Sequence, residues 1–156
     1  MPSDKEVSVP REERECAAAV FVVTPEGIFL VRDPETPGRR AYWKLPGGKS
    51  NPGETPQQVA VRGVEEETGV RLAAGDLRQM YAEAKQGHAL YFFRVELSYI
   101  PELKAAGDEG EKIRIFSPLE ILAMSDFFFG HRRVVEKHLR SLARQRPGSL
   151  AATRSR

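Results

Sequence analysis

Residues 45–70 read LPGGKSNPGETPQQVAVRGVEEETGV, and this stretch decides the fold. Local chemistry sets the limits of a helix within it. Thr55 is a good N-cap, Pro56 suits the first helical position, Gln58 completes a T-x-x-Q capping box, and Gly69 supplies the stop. A helix is therefore predicted over residues 56–68. At about 100° per residue, Val59, Gly63, Glu66 and Glu67 cluster along one face. Ala60, Val61, Val64 and Thr68 lie toward another, its three apolar members suited to packing on a sheet, and Glu65 points about 160° away from Gly63. Glu66 and Glu67 repel each other on an isolated helix, and the macrodipole disfavours acids at its C-terminal end. A solvated acidic helix end is the plain reading. A hard cation such as Mg2+ or Mn2+ would remove the penalty, because carboxylate and carbonyl oxygens are its preferred ligands. Ahead of the helix, Pro46-Gly47-Gly48 predicts a tight turn, whose glycines also let backbone groups come close to an ion or a phosphate.

Working outward, CAAAVFVVT (16–24) reads as a buried strand, Pro25-Glu26-Gly27 as a turn and IFLVRD (28–33) as the hairpin partner. PETPGRR (34–40) is a loop and AYWKL (41–45) a short strand. Downstream, RQMYAEA (78–84) and HALYFFRVEL (88–97) read as strands, 101–110 as a polar loop and KIRIFS (112–117) as another strand. Pro118 opens a short helical segment, and an amphipathic helix is expected over 130–144. Strands and hairpins interspersed with two substantial helices predict a mixed α/β layered domain over 15–146, without a repeating βαβ order. Residues 1–14 are expected to be a mobile arm and 147–156 a disordered basic tail.

Composition narrows the partners. The 156 residues include 24 Lys and Arg against 22 Asp and Glu, a net charge of +2, so nothing demands a nucleic acid or a membrane. The basic excess after Gly130 reads as a solvated helix face and tail, and nucleic acid is not an expected partner. No stretch approaches the ~20 apolar residues of a membrane span, and the first residues lack the apolar core of a secretory signal. The single cysteine, Cys16, cannot form an intramolecular disulfide and reads as a small buried hydrophobe. These features suit a soluble protein in a reducing cytoplasm.

The stretch also resembles a known family. The Nudix box is written G-x5-E-x7-R-E-U-x-E-E-x-G-U, with U aliphatic, and this chain supplies Gly48, Glu54, Arg62, Val64, Glu66, Glu67, Gly69 and Val70 at those positions. The one departure is Gly63, where the pattern has glutamate. Trp43 and Leu45-Pro46-Gly47 are similar to the family's lead-in, and IRIFSPLEIL (113–122) is similar to its strand-then-helix segment. The resemblance implies a Nudix-type α/β/α sandwich with a mixed sheet and a loop-helix-loop box. It also implies cleavage of a pyrophosphate bond in a nucleoside triphosphate or another nucleoside diphosphate derivative, with Mg2+ or Mn2+ as cofactor. Glu66 and Glu67 would be metal ligands, joined by the Gly48 carbonyl, and Glu54 and Arg62 would orient them as an ion pair. The glutamate missing at Gly63 is a base or bridging ligand in many members. Three accounts follow: a carboxylate from GDEGEK, with Glu109 and Glu111 or Asp108 as candidates; a slow enzyme; or a domain that binds nucleotides without hydrolysis. Arg32, Lys44, Gly47 and Lys49, with Arg39 and Arg40, are candidates to meet phosphates. The window fifteen to eighteen positions past the box holds Lys85 to His88, matching neither the ADP-ribose nor the dinucleoside-polyphosphate signature.

The remaining candidates carry less. His88 could touch a base or phosphate, although a strand-end histidine with a local hydrogen bond is the plainer reading. His131 and His138 read as surface on a basic helix. Tyr42, Trp43, Tyr81, Tyr91 and Phe92 read as core before they read as a base-stacking platform. Phe127-Phe128-Phe129 suggests a core plug or a subunit contact, hence a homodimer.

Overall fold

A computed structural model describes residues 15–85 and 87–145. The expected N-terminal arm and basic tail lie outside the described residues. Strand β1 (Glu15–Thr24) turns into β2 (Gly27–Arg32), followed by β3 (Trp43–Lys44) and β4 (Gly47–Lys49). Helix α1 (Pro56–Thr68) leads through a single 3-10 turn to β5 (Arg78–Lys85) and β6 (His88–Glu96). Strand β7 (Lys112–Phe116), α2 (Pro118–Ala123) and α3 (Phe129–Gln145) complete the order.

The strands form one mixed sheet. Its path runs β3-β2-β1-β6-β5, with β4 joined to β1 and β7 to β2. Strand β1 is the spine, pairing in parallel with β6 from Glu15 opposite His88 to Val23 opposite Glu96. Alternation along β1 divides the core as strand geometry requires. Cys16, Ala18, Val20 and Val22 face α1, where they meet Val59, Ala60 and Val64. Ala19 and Phe21 face the other way, toward Val135 and Leu139 of α3 and Ile121 of α2. The result is an α/β/α sandwich, as expected.

Two expectations need correction. The segment Pro46-Gly47-Gly48 is not a tight turn, because Gly47 to Lys49 run extended and antiparallel to β1, with Gly48 opposite Ala18. These glycines serve close packing. A Cβ on Gly47 would lie 1.8 Å from the Ala18 carbonyl oxygen. The face of α1 also differs from the helical-wheel expectation. Val59 is fully buried while Val61 is only half-buried, since β4 lies against the Val59–Gly63 side of the helix.

Candidate functional site

The caps hold α1 as the sequence predicts. Thr55 Oγ1 accepts from the Gln58 amide at 3.1 Å, and the Gln58 side chain accepts from the Thr55 amide at 2.9 Å. Gly69 ends the helix in the left-handed region at φ 85°, open to glycine without strain. The last carbonyls of α1 then organise the loop that follows β6. The Asp108 amide donates to the Glu66 carbonyl at 3.0 Å, the Lys104 amide donates to Thr68, and the Lys104 ammonium also reaches the Glu66 carbonyl. A cation is favourable at this end of a helix. Lys104 pairs with Asp108 as well. The loop is thereby folded under α1, and Glu111 is buried at its end with only 5% exposure.

Three carboxylates converge there. Asp33 from the end of β2, Glu67 from α1 and Glu111 from the loop each place an oxygen within 4.8 Å of the others. Glu67 also accepts from the Gly47 amide at 2.9 Å. Burial, with Glu111 and Asp33 nearby, pushes the Glu67 carboxyl from 4.5 up to about 7, against the lowering effect of that amide and of Lys44. Lys44 pairs with Asp33 at 3.2 Å. Such a set of oxygens, short of positive charge, fits a hard divalent cation.

Asp33 and Glu67 form part of the wall of a cleft of about 670 Å3, which also takes in Arg39, Arg40, Lys44, Gly47, Gly48 and Lys49. Tyr42, Phe128 and His131 line it as well. His131 is wedged edge-on to Phe92 and Phe128, and its Nδ1 is buried without a hydrogen-bond partner. Burial, with Lys44 nearby, lowers its pKa to about 4. His138 packs on Phe21 and is lowered likewise, so neither histidine is the surface group expected from the sequence.

A family model for the NUDIX domain matches residues 13–138. The chain belongs to the Nudix family. Over 55 residues, 35% of this chain, it is 46% identical to nucleoside diphosphate-linked moiety X motif 6 of Mus musculus, covering 17% of that protein. Over 54 residues, 34% of this chain, it is 44% identical to the ADP-ribose pyrophosphatase of Bacillus subtilis strain 168, covering 29% of it. The matched stretch thus spans less than a third of each of these relatives. A solved structure from work on MutT of Aliivibrio salmonicida and Vibrio cholerae superposes with a TM-score of 0.68 at 21% identity, covering 82% of this chain and 98% of that one. That likeness concerns the fold.

The Nudix box therefore comprises β4, the loop after it, and α1. Its Arg62 donates to both oxygens of Glu54, at 2.7 and 2.9 Å, and to the Lys49 carbonyl at 2.6 Å. The Glu54 carboxyl is held below its ordinary value chiefly by Arg62. Arg62 also bonds Glu66 at 3.1 Å. Glu66 is thus solvent-exposed on the Arg62 side, outside the three-carboxylate group, whereas Glu67 is inside it. Of the three loop candidates, Glu111 lies against Glu67 and Asp33, whereas Asp108 pairs with Lys104. Glu109 is exposed and contributes its backbone amide, which donates to Glu111 at 3.1 Å. Lys44, Gly47 and Lys49 line the cleft. Arg32 is not among its lining residues; it bonds Glu35 and the Ala41 carbonyl and lies over Trp43.

Sequence reading missed Asp33. A signal existed, since pairing the 28–33 strand with the 41–45 strand places Asp33 beside the lead-in to the box; the observed register sets Arg32 opposite Trp43.

Proposed function

We propose that this protein is a divalent-metal-dependent Nudix hydrolase that cleaves a pyrophosphate bond in a nucleoside triphosphate or another nucleoside diphosphate derivative. The observation that carries this reading is the cleft, where cationic Lys44, Arg39 and Arg40 stand beside the Asp33 and Glu67 carboxylates in one concave surface. A pyrophosphate is strongly anionic, so charge of both signs is needed: cations to hold its oxygens, and carboxylates to hold the metal and take up a proton. Bound Mg2+ or Mn2+ supplies charge neutralisation and acidifies water. Lys44 and the loop arginines hold the anionic oxygens and orient the phosphorus for attack. Glu111 takes the proton of the attacking water, a role that Gly63 cannot fill. Arg62 and Glu54 brace the start of α1 against β4, keeping Glu67 in position.

Support comes from the family membership and from relatives named as pyrophosphatases, among them the ADP-ribose pyrophosphatase of Bacillus subtilis. The test is incubation with a panel of nucleoside triphosphates, sugar nucleotides, ADP-ribose and dinucleoside polyphosphates, with Mg2+ or Mn2+ and product separation. Turnover of at least one compound, lost in Glu67→Gln, is expected. Folded protein that binds these compounds and turns over none would overturn hydrolysis in favour of a non-hydrolysing nucleotide-binding domain, the reading that Gly63 by itself favours. A cytoplasmic setting belongs to the same proposal, supported by the lone, buried Cys16. Among the described residues no helix is long and apolar enough to cross a membrane. A homodimer through Phe129, which is 81% exposed, is a further part of the proposal, and sedimentation would test it.

A further inference from the structure

Helix α3 starts at the lip of the cleft. Phe128, just ahead of it, and Gly130 and His131 of its first turn line the same cavity as Lys44 and Glu67. Onward from Gly130, Arg133, Lys137 and Arg140 recur at intervals of three and four residues, so the four positions fall within about 80° of arc on one side of the helix. All four are exposed, whereas Val135 and Leu139 on the other side are buried in the core. The helix has a single acid, Glu136, and Arg132 takes it at 3.0 Å. Among the described residues Arg133, Lys137 and Arg140 have no carboxylate partner. None of the three lines the cleft itself. The net charge of +2 is thus unevenly spread, with uncompensated positive charge gathered in a row that begins beside the site.

We propose that the substrate is the 5′-polyphosphate end of a single-stranded polynucleotide, its terminal phosphates in the cleft and its following nucleotides laid along Arg133, Lys137 and Arg140. The inference rests on the hydrolase reading and names its substrate class, since such an end is a nucleoside triphosphate extended at its 3′ oxygen. From Gly130 to Arg140 the helix rises about 15 Å, which a free nucleotide seated in the cleft does not span. A polynucleotide carries one charge per nucleotide, and at the ~3.4 Å spacing of stacked nucleotides that distance takes in roughly four phosphates. Unpaired surface cations bind such phosphates by releasing counterions, and they fix the register of the strand without reading its sequence. A lipid surface is less suited to the same cations, because the apolar face of α3 is already buried against the sheet and cannot enter a bilayer.

The experiment is fluorescence anisotropy of the full chain with a 3′-labelled RNA of about ten nucleotides carrying a 5′-triphosphate, with Ca2+ in place of Mg2+ to slow turnover. ATP, the same RNA with a 5′-hydroxyl, and vesicles of anionic phospholipid serve as competitors. The triphosphate RNA should bind at least tenfold tighter than either ATP or the 5′-hydroxyl RNA. The triple variant Arg133→Gln, Lys137→Gln, Arg140→Gln should lose about tenfold for the RNA and stay within twofold for ATP. Its slope of log affinity against log salt should be shallower by about 2, since three contacts count ~0.7 each on a single strand. Lys137→Gln alone should lose about threefold, and it keeps the test valid if the triple variant does not fold. Arg71→Gln, at an exposed cation beyond α1, should leave RNA affinity unchanged. Equal affinity for the triphosphate RNA and ATP would overturn the proposal. So would wild-type RNA affinity in the folded variants, a 5′-hydroxyl RNA that binds as tightly, or capture by vesicles without RNA binding. Hydrolysis is scored separately with Mg2+. Turnover of free nucleotides without tighter RNA binding removes this inference and leaves the enzyme, whereas tighter RNA binding without turnover of any compound does the reverse.

Discussion

At Gly63 two effects of similar size act in opposite directions. Alanine gains about 1 kcal/mol over glycine in a helix interior. Overpacking costs about 1–3 kcal/mol, and the upper end applies here because the obstacle is the Gly47 backbone. Gly63→Ala should therefore lose about 1–2 kcal/mol net, read as a lower urea midpoint with an unchanged slope. A Gly63→Glu variant meets the same obstacle, so it is not a simple restoration of the family pattern. Glu111→Gln keeps the shape of the buried side chain and removes its basicity. It should lower kcat by about 100-fold or more while leaving the melting temperature close to wild type.

The elements differ in how far their own residues specify them. Helix α1 was legible to the residue, since Thr55, Pro56, Gln58 and Gly69 act within one turn of its ends. Thr55→Ala should cost about 1 kcal/mol, measured by thermal melting. Strand β4 was not legible, because its extended form comes from β1, some thirty residues earlier in the chain. The loop carrying Glu111 is intermediate. Its acidic character is evident in the sequence, but its placement depends on carbonyls at the end of α1. Lys104→Met removes one of the ties to those carbonyls. Its expected effect is a lower kcat with little change in stability, detectable by comparing turnover and melting on one preparation.

For the whole molecule, the buried titratable groups set the response to pH. His131 and His138 have folded pKa values of about 4 against an ordinary 6.5. The unfolded chain therefore binds more protons between those values, and their contribution lowers stability as pH falls from about 6.5 toward 4. Glu67 acts in the opposite sense, with a folded value of about 7 against 4.5. Its protonated form stabilises the fold in acid, and that contribution is lost as pH rises through about 7. A divalent ion can take the place of that proton. Mg2+ should consequently raise the denaturation midpoint more at pH 8 than at pH 5.5, and Glu67→Gln should abolish the difference. His138→Phe should flatten the acid limb in the metal-free protein.

The sequence alone determined the box, the helix limits, the buried character of β1 and the mixed α/β layering, because these depend on residue type and spacing over a few positions. Tertiary structure decided which carboxylates meet. Glu66 and Glu67 are neighbours in the chain, yet β4 and the folded loop draw only Glu67 inward, while Arg62 keeps Glu66 outside. Asp33 joins Glu67 because strand pairing brings the end of β2 beside β3, and Gly63 is bare because β4 lies against it. Contacts between segments distant in the chain have no local signature, so the acidic character of the box was legible while the set of carboxylates that meet was not.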